Sequence, residues 1–327
     1  MAEAARIALY SGRPEQAYRL VVTAMPHLSK DAAFMALAAK VGIALDRPIQ
    51  AAGYLAAAPP SPRTALEIRA LLQRGAPGAG PIPVNPSSKT FFAMDRRVLK
   101  EVQALLPSPD GGWVVLTRAA VIRVGADGHP GTAVPLPGGR DLCLDGEGRA
   151  VALGADHVLW GDDSVPLSKG LVKATSAAAS PDGSLILLDG GAKRLYRLDR
   201  SGRVSGSVGL LVKDPVKVRL DASGRIYVAD ENDGTIHVFR GDMSPLRVLD
   251  PEASGQKLRK LTDLWVDFAG DVLVLDGREH RLLLFSSAGR FLGATPETLR
   301  VDAAGWDGQD TLAVFDEKTG AAGRIVL

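Results

Sequence analysis

One short turn, returning six times, decides what this chain can fold into. It reads Ser108-Pro109-Asp110-Gly111, Asp145-Gly146-Glu147-Gly148, Ser180-Pro181-Asp182-Gly183, Asp221-Ala222-Ser223-Gly224, Asp267-Phe268-Ala269-Gly270 and Asp302-Ala303-Ala304-Gly305. Its Asp recurs at intervals of 35, 37, 39, 46 and 35 residues, a period shared by propeller blades and helical repeats. The residues after each turn remove the helical option. An apolar run comes next, closed in several units by Asp, as in Leu185-Ile186-Leu187-Leu188-Asp189 and Ile226-Tyr227-Val228-Ala229-Asp230. A second such run comes after it, as in Thr235-Ile236-His237-Val238-Phe239 and Arg281-Leu282-Leu283-Leu284-Phe285. Asp and Gly supply the tight turns that β-formers resist, so this punctuation marks short antiparallel strands. Each unit predicts a four-stranded meander, and six of them a ring.

The ring occupies residues 90–327, with inner strands starting near Val102, Asp141, Ala174, Val216, Asp263 and Thr298. The last unit offers only three strands before the chain ends. An unpaired edge there would be a liability. The apolar run Thr90-Phe91-Phe92-Ala93-Met94 has no partner in the first unit, so it is expected to pair with Arg324-Ile325-Val326-Leu327 and close the ring. This pattern resembles the six-bladed β-propellers of the NHL-repeat and TolB-like kind: the Ser-Pro-Asp-Gly turns match the latter, Val228-Ala229-Asp230 with its next strand the former. The fold class is therefore mainly β.

Residues 1–75 are a different material, Ala-rich and poor in β-branched residues, and read as helices near 2–11, 14–25, 31–44, 48–58 and 63–74. An offset of 34 residues aligns Arg13-Pro14-Glu15-Gln16-Ala17 with Arg47-Pro48-Ile49-Gln50-Ala51. The segment resembles a short tetratricopeptide-type array, with Gly12 and Asp46 at its turn position. So small an array is expected to lean on the propeller or on a partner. Between the two, residues 76–89 form a Gly/Pro-rich linker.

Charge narrows the function classes. Residues 1–88 carry 9 Lys/Arg against 5 Asp/Glu, and the remainder carries 30 against 32, so neither part has the basic excess of a general nucleic-acid binder. Arg194, Arg197, Arg200 and Arg203 cluster in unit three, but strand alternation spreads them over two faces. The single cysteine, Cys143, alternates with Leu142 and Leu144 and reads as a buried filler. No apolar run is long enough to span a membrane. The opening Met1-Ala2-Glu3-Ala4-Ala5 resembles a mature exported start with an added Met, which leaves the compartment open between export and cytoplasm.

Nucleophile and phosphate-loop motifs are absent: there is no Gly-x-Ser-x-Gly, His-Glu-x-x-His or Gly-Lys-Ser/Thr. The recurrent Asp residues read as turn formers, because Asp bonds its own backbone two residues on. In propellers of the resembled kind, ligands meet the face built from the loops between second and third strands and the loops joining blades. That resemblance points to Glu231, Asn232 and Asp233, and to Arg278, Glu279 and His280. The longest interval adds an extended loop from Asp250 to Leu261 carrying Glu252, Lys257, Arg259 and Lys260. Along the axis the inner strands offer Lys100, Arg140, Asp141, Lys173, Lys217, Asp263 and Arg300. These cations oppose the axial calcium held by the strictosidine-synthase and paraoxonase-like hydrolases, and the five histidines match no local zinc signature. The expectation is a scaffold without catalytic residues, metal or cofactor that binds a protein or peptide. A metal-dependent propeller lyase or hydrolase is the alternative reading, and RNA binding a third.

Overall fold

The computed structural model describes residues 1–58, 68, 89–93, 102–108, 111–145, 148–168, 171, 173–268, 270–295, 297–306 and 311–326. Six four-stranded antiparallel sheets form the ring. Their innermost strands, blade 1 to blade 6, are Val102–Pro107, Asp141–Leu144, Ser176–Ala179, Pro215–Leu220, Leu261–Val266 and Ala303–Trp306. The sixth starts five residues later than the sequence suggested, at Ala303 rather than near Thr298. Arg300 and Val301 belong to the connection instead: the Arg300 guanidinium bonds Asp302, and the Val301 N–H donates to the His280 carbonyl at 2.9 Å.

Closure takes the expected route. Lys89–Ala93 pairs antiparallel with Ala321–Val326, with Phe91 opposite Gly323 and Phe92 opposite Ala322, so a strand preceding the ring becomes the outermost strand of its last blade. Blade 6 gains its fourth strand in this way.

The second strand of each blade shows how the ring packs. Alternate residues of it turn toward the preceding blade and the ones between toward the next. Leu185 and Leu187 of blade 3 meet Val151 and Leu153 of blade 2, and Ile226 and Val228 of blade 4 meet Ile186 and Leu188 of blade 3. All eight are fully buried or nearly so. Burying each such side chain contributes about 1.5–3 kcal/mol. The backward-facing pair is Trp113/Val115 in blade 1, Val272/Val274 in blade 5 and Leu312/Val314 in blade 6. Blade 2 alone uses two alanines, Ala150 and Ala152, against blade 1.

The repeated turns form as the sequence requires in blades 2 to 5, but not at Asp302-Ala303-Ala304-Gly305: Ala303–Trp306 is the innermost strand of blade 6, paired with its second strand, so only Asp302 stands outside it. In blade 4 the Asp221 Oδ1 accepts the backbone N–H groups of Ser223 at 2.9 Å and Arg225 at 3.0 Å, and Gly224 takes the left-handed conformation at φ +84°. Blades 3 and 5 repeat the carboxylate-to-backbone bond with Asp182 and Asp267. Asp110 lies outside the described residues.

Four helices precede the ring: α1 Ala2–Tyr10, α2 Pro14–Leu28, α3 Ala32–Ala44 and α4 Pro48–Ala56. Pro14 and Pro48 open their helices, where a missing N–H costs little, and Asp31 caps α3 by accepting from Phe34 N at 2.8 Å. Asp46 takes the left-handed turn at φ +54°, as Gly12 does at φ +73° in the first pair. The fifth helix and the linker lie outside the described residues, apart from Ile68 and Lys89.

The helices rest on the ring. Tyr10 lies against Gly224 and Gly241, which are turns of blade 4, and a Cβ at either glycine would collide with it. Asp46 reaches Arg225 and Arg247 of the same blade, each at 3.4 Å, and Phe268 of blade 5 packs on the cluster formed by Ala39, Ile43 and Leu55. These contacts lie on the side of the turns joining first to second and third to fourth strands. Burial pushes the Tyr10 phenol up to about 12. The neutral phenol is the form the docked state favours, so its contribution is intact below the ordinary pKa of about 10 and is lost as pH rises from there toward 12. Thermal unfolding followed between pH 9 and 12 should show this alkaline loss in the wild type, and Tyr10→Phe should flatten it.

Candidate functional site

Several second strands end in an aspartate, and these side chains tie the loops of the opposite face together. The Asp230 carboxylate accepts from Lys213 N at 2.9 Å, Asp214 N at 3.1 Å and Asn232 N at 3.0 Å. Asp276 does the same one blade on, with Arg259 N at 3.0 Å, Lys260 N at 3.1 Å and Arg278 N at 3.2 Å. Both carboxylates are buried. Each thus joins the loop entering its blade to the loop between its second and third strands, and fixes two recognition segments with one side chain. Asp189 and Asp316 hold their own loops through Ala192 N and Lys318 N.

Six residues singled out in the sequence meet here. Glu231, Asn232 and Asp233 of blade 4, with Glu252, Lys257 and Arg259 of the extended loop, line one pocket of about 260 Å³. Its acids are matched by bases: Lys260 lies 3.6 Å from Glu231, Lys213 2.8 Å from Asp233 and Lys257 3.2 Å from Glu252. Arg259 reaches Glu279 of the next blade at 3.8 Å, so the surface runs on without a break. Pairs this exposed contribute little to folding and are readily exchanged for a partner's charges. Arg278 lies on the neighbouring loop, and the His280 Nδ1 faces Asp302 at 2.7 Å, away from the pocket lining. Leu211 was not apparent from the sequence. It sits between buried Leu210 and Val212 in the loop entering blade 4, two residues before Lys213, and is fully exposed. An unbroken Leu-Leu-Val run gave no sign of which residue would turn outward.

The axial residues divide. Asp141, Lys217 and Asp263 converge from three blades into a closed ionic cluster. Lys217 Nζ lies 2.9 Å from Asp141 and 3.1 Å from Asp263; Arg219 contacts the same two acids at 2.8 and 3.0 Å. Ser176 donates its hydroxyl to Asp141, and Ala177 N donates at 3.0 Å. Burial alone would raise the Asp141 carboxyl, but Arg219 and Lys217 outweigh it and hold the group well below the usual carboxylate range. Arg219 was missed by sequence reasoning, although its position two residues after Lys217 puts it on the same strand face. Arg140 stands beside the cluster, donating to the Ala174 carbonyl at 2.7 Å. Arg300 is outside it, paired with Asp302 at 2.7 Å and half-exposed; Lys173 is exposed, and Lys100 lies outside the described residues. Among the described residues no three His, Cys, Asp or Glu side chains gather as a metal site would require. No helix among them is long and apolar enough to cross a membrane.

The arginines of blade 3 form no stripe. Arg197 is turned to Asp182, Ser184 and the Gly241 carbonyl, Arg200 stacks 5.9 Å over the Trp160 ring, and Arg194 bonds Ser207.

Residues 213–239, the first three strands of blade 4 with their loops, match the NHL repeat. No curated protein matches the sequence. Solved structures share the ring. A catalytically inactive variant of Staphylococcus aureus virginiamycin B lyase with quinupristin superposes with a TM-score of 0.52 at 13% identity, over 69% of this chain and 80% of that one. The selenomethionine form of the same organism's lyase gives 0.53 at 12%, over 73% and 99%. A protein of unknown function from Bacteroides thetaiotaomicron gives 0.57 at 12%, over 75% and 74%. At these identities the likeness is one of fold.

Proposed function

We propose that the chain is a recognition scaffold whose face around blades 4 and 5 binds a protein or peptide. The observation that carries this reading is the pocket in which six residues of two separate loops meet, on backbone fixed by Asp230 and Asp276, beside a fully exposed Leu211. A pre-formed surface loses little conformational freedom on binding, and a fully exposed Leu offers apolar area to a partner. The NHL match falls on the same blade. The lyase alternative draws on the ring shared with the staphylococcal enzyme. Against it stands the state of the axial acids: Asp141 and Asp263, carboxylates on two innermost strands, are neutralised by Lys217 and Arg219.

Affinity capture from the native host at low salt tests the reading. Replacing residues 252–257 by a short turn, which leaves Arg259, Lys260 and buried Leu261 in place, or Leu211 by Asp, is expected to abolish capture while melting temperature and circular dichroism stay unchanged. Capture that survives both changes would reject this face. Stoichiometric calcium or zinc in the purified protein would favour the enzyme instead.

A further inference from the structure

The seam between blades 1 and 2 is packed through smaller side chains. Where every other blade turns two bulky residues back on its neighbour, blade 2 turns Ala150 and Ala152, and between them and Val114 and Val121 of blade 1 a cleft of about 730 Å³ opens. That volume is within the range of about 300–1,000 Å³ common for small-ligand sites. The cleft opens beside the turns at Ser108, Gly148 and Gly161, whereas the helices rest on turns of blades 4 and 5. Its floor is apolar: Ala152 and Leu159, paired across the blade and turned to blade 1, are both buried.

The charges at its mouth are arranged by wall. Blade 1 contributes Arg123, blade 2 contributes Asp162 and Asp163; all three are exposed, and none has a charged partner among the described residues. The other cation of the cleft, Arg149, is already paired with Asp145 at 2.8 Å. A cation on one wall and carboxylates on the other, over an apolar floor, complement a molecule with an apolar body and both charges. We propose that the cleft between blades 1 and 2 binds a small zwitterion with an apolar body, such as a short apolar peptide with free ends. Its carboxylate meets Arg123, its ammonium meets Asp162 and Asp163, and its side chains fill the space that Ala150 and Ala152 leave.

The test uses the full chain and the dipeptide leucyl-phenylalanine, titrated calorimetrically. Saturable binding is expected. Ala150→Leu, which restores the residue blade 3 carries at that position, should fill the cleft and weaken binding about ten-fold or more by exclusion, with no loss of melting temperature. Amidating the dipeptide's carboxylate should weaken binding about ten-fold in the wild type but have little further effect in Arg123→Gln, because both changes remove the same contact. N-acetylation should behave likewise against Asp162→Asn with Asp163→Asn. Absence of saturable binding at millimolar dipeptide, unchanged affinity in Ala150→Leu, or binding indifferent to capping of both ends would each overturn the proposal.

Discussion

Asp141→Ala is expected to destabilise the ring by about 3–5 kcal/mol, because it leaves Lys217 and Arg219 buried with one acid where they had two. Denaturant unfolding measures this directly. A control sharpens it: combining Asp141→Ala with Arg219→Met should recover part of the loss, since the second change removes the stranded charge. The pH dependence carries a sign. The folded-state pKa of Asp141 lies below its unfolded value near 4, so its contribution is present above that value and is lost as pH falls below it. Wild type and Asp141→Ala should therefore converge in stability under acid. A variant no less stable than wild type at neutral pH would show that the cluster contributes nothing net.

The second large effect belongs to Asp276. Its carboxylate accepts four backbone N–H groups, those of Arg259, Lys260, Arg278 and Glu279, and is fully buried. Asp276→Ala strands these donors and should cost about 2–4 kcal/mol, the range for losing several charge-assisted bonds when water reaches some of the exposed groups. The loss should be local as well as global. Hydrogen exchange of the amides at 259, 260, 278 and 279 is expected to accelerate well beyond that of the blade core, and partner capture should fall with it. Asp276→Asn, which keeps one acceptor oxygen, should lie between. Protection unchanged at those four amides would remove Asp276 as the tie between the two loops.

The architecture was legible in the sequence because it is repeated. A turn that must bond its own backbone leaves Asp and Gly at fixed places, and repeated copies of one constraint are hard to mistake even though the sixth match, Asp302-Ala303-Ala304-Gly305, runs into a strand. Closure was legible for a similar reason: Phe91 and Phe92 had no partner nearby and the final blade lacked a strand. The start of the sixth inner strand was not legible, because Arg300-Val301 has the composition of a strand while its hydrogen bonds go to Asp302 and His280. The rim pocket emerged from loop length and from a resemblance, whereas its support did not. Asp230 and Asp276 looked like strand ends, and only their reach to residues 16 and 17 positions earlier reveals them as loop ties. Arg219 and Leu211 were hidden by their surroundings, since which member of an apolar or alternating run turns inward depends on neighbours far off in sequence. The alanine pair of blade 2 was present in plain letters, but it acquires meaning only when aligned with the bulky pairs of the other blades.

The strand that completes the last blade has a bearing on how the molecule is made. Ala93 pairs with Ala321, 228 residues further on, so the joint cannot form until all six blades have left the ribosome. Blades 1 to 5 consist of neighbouring segments and can assemble in order of synthesis, while the strand before them waits for the final blade. During that interval the nascent ring has two bare margins, and nicking or truncation at the C-terminal strand would make the condition permanent.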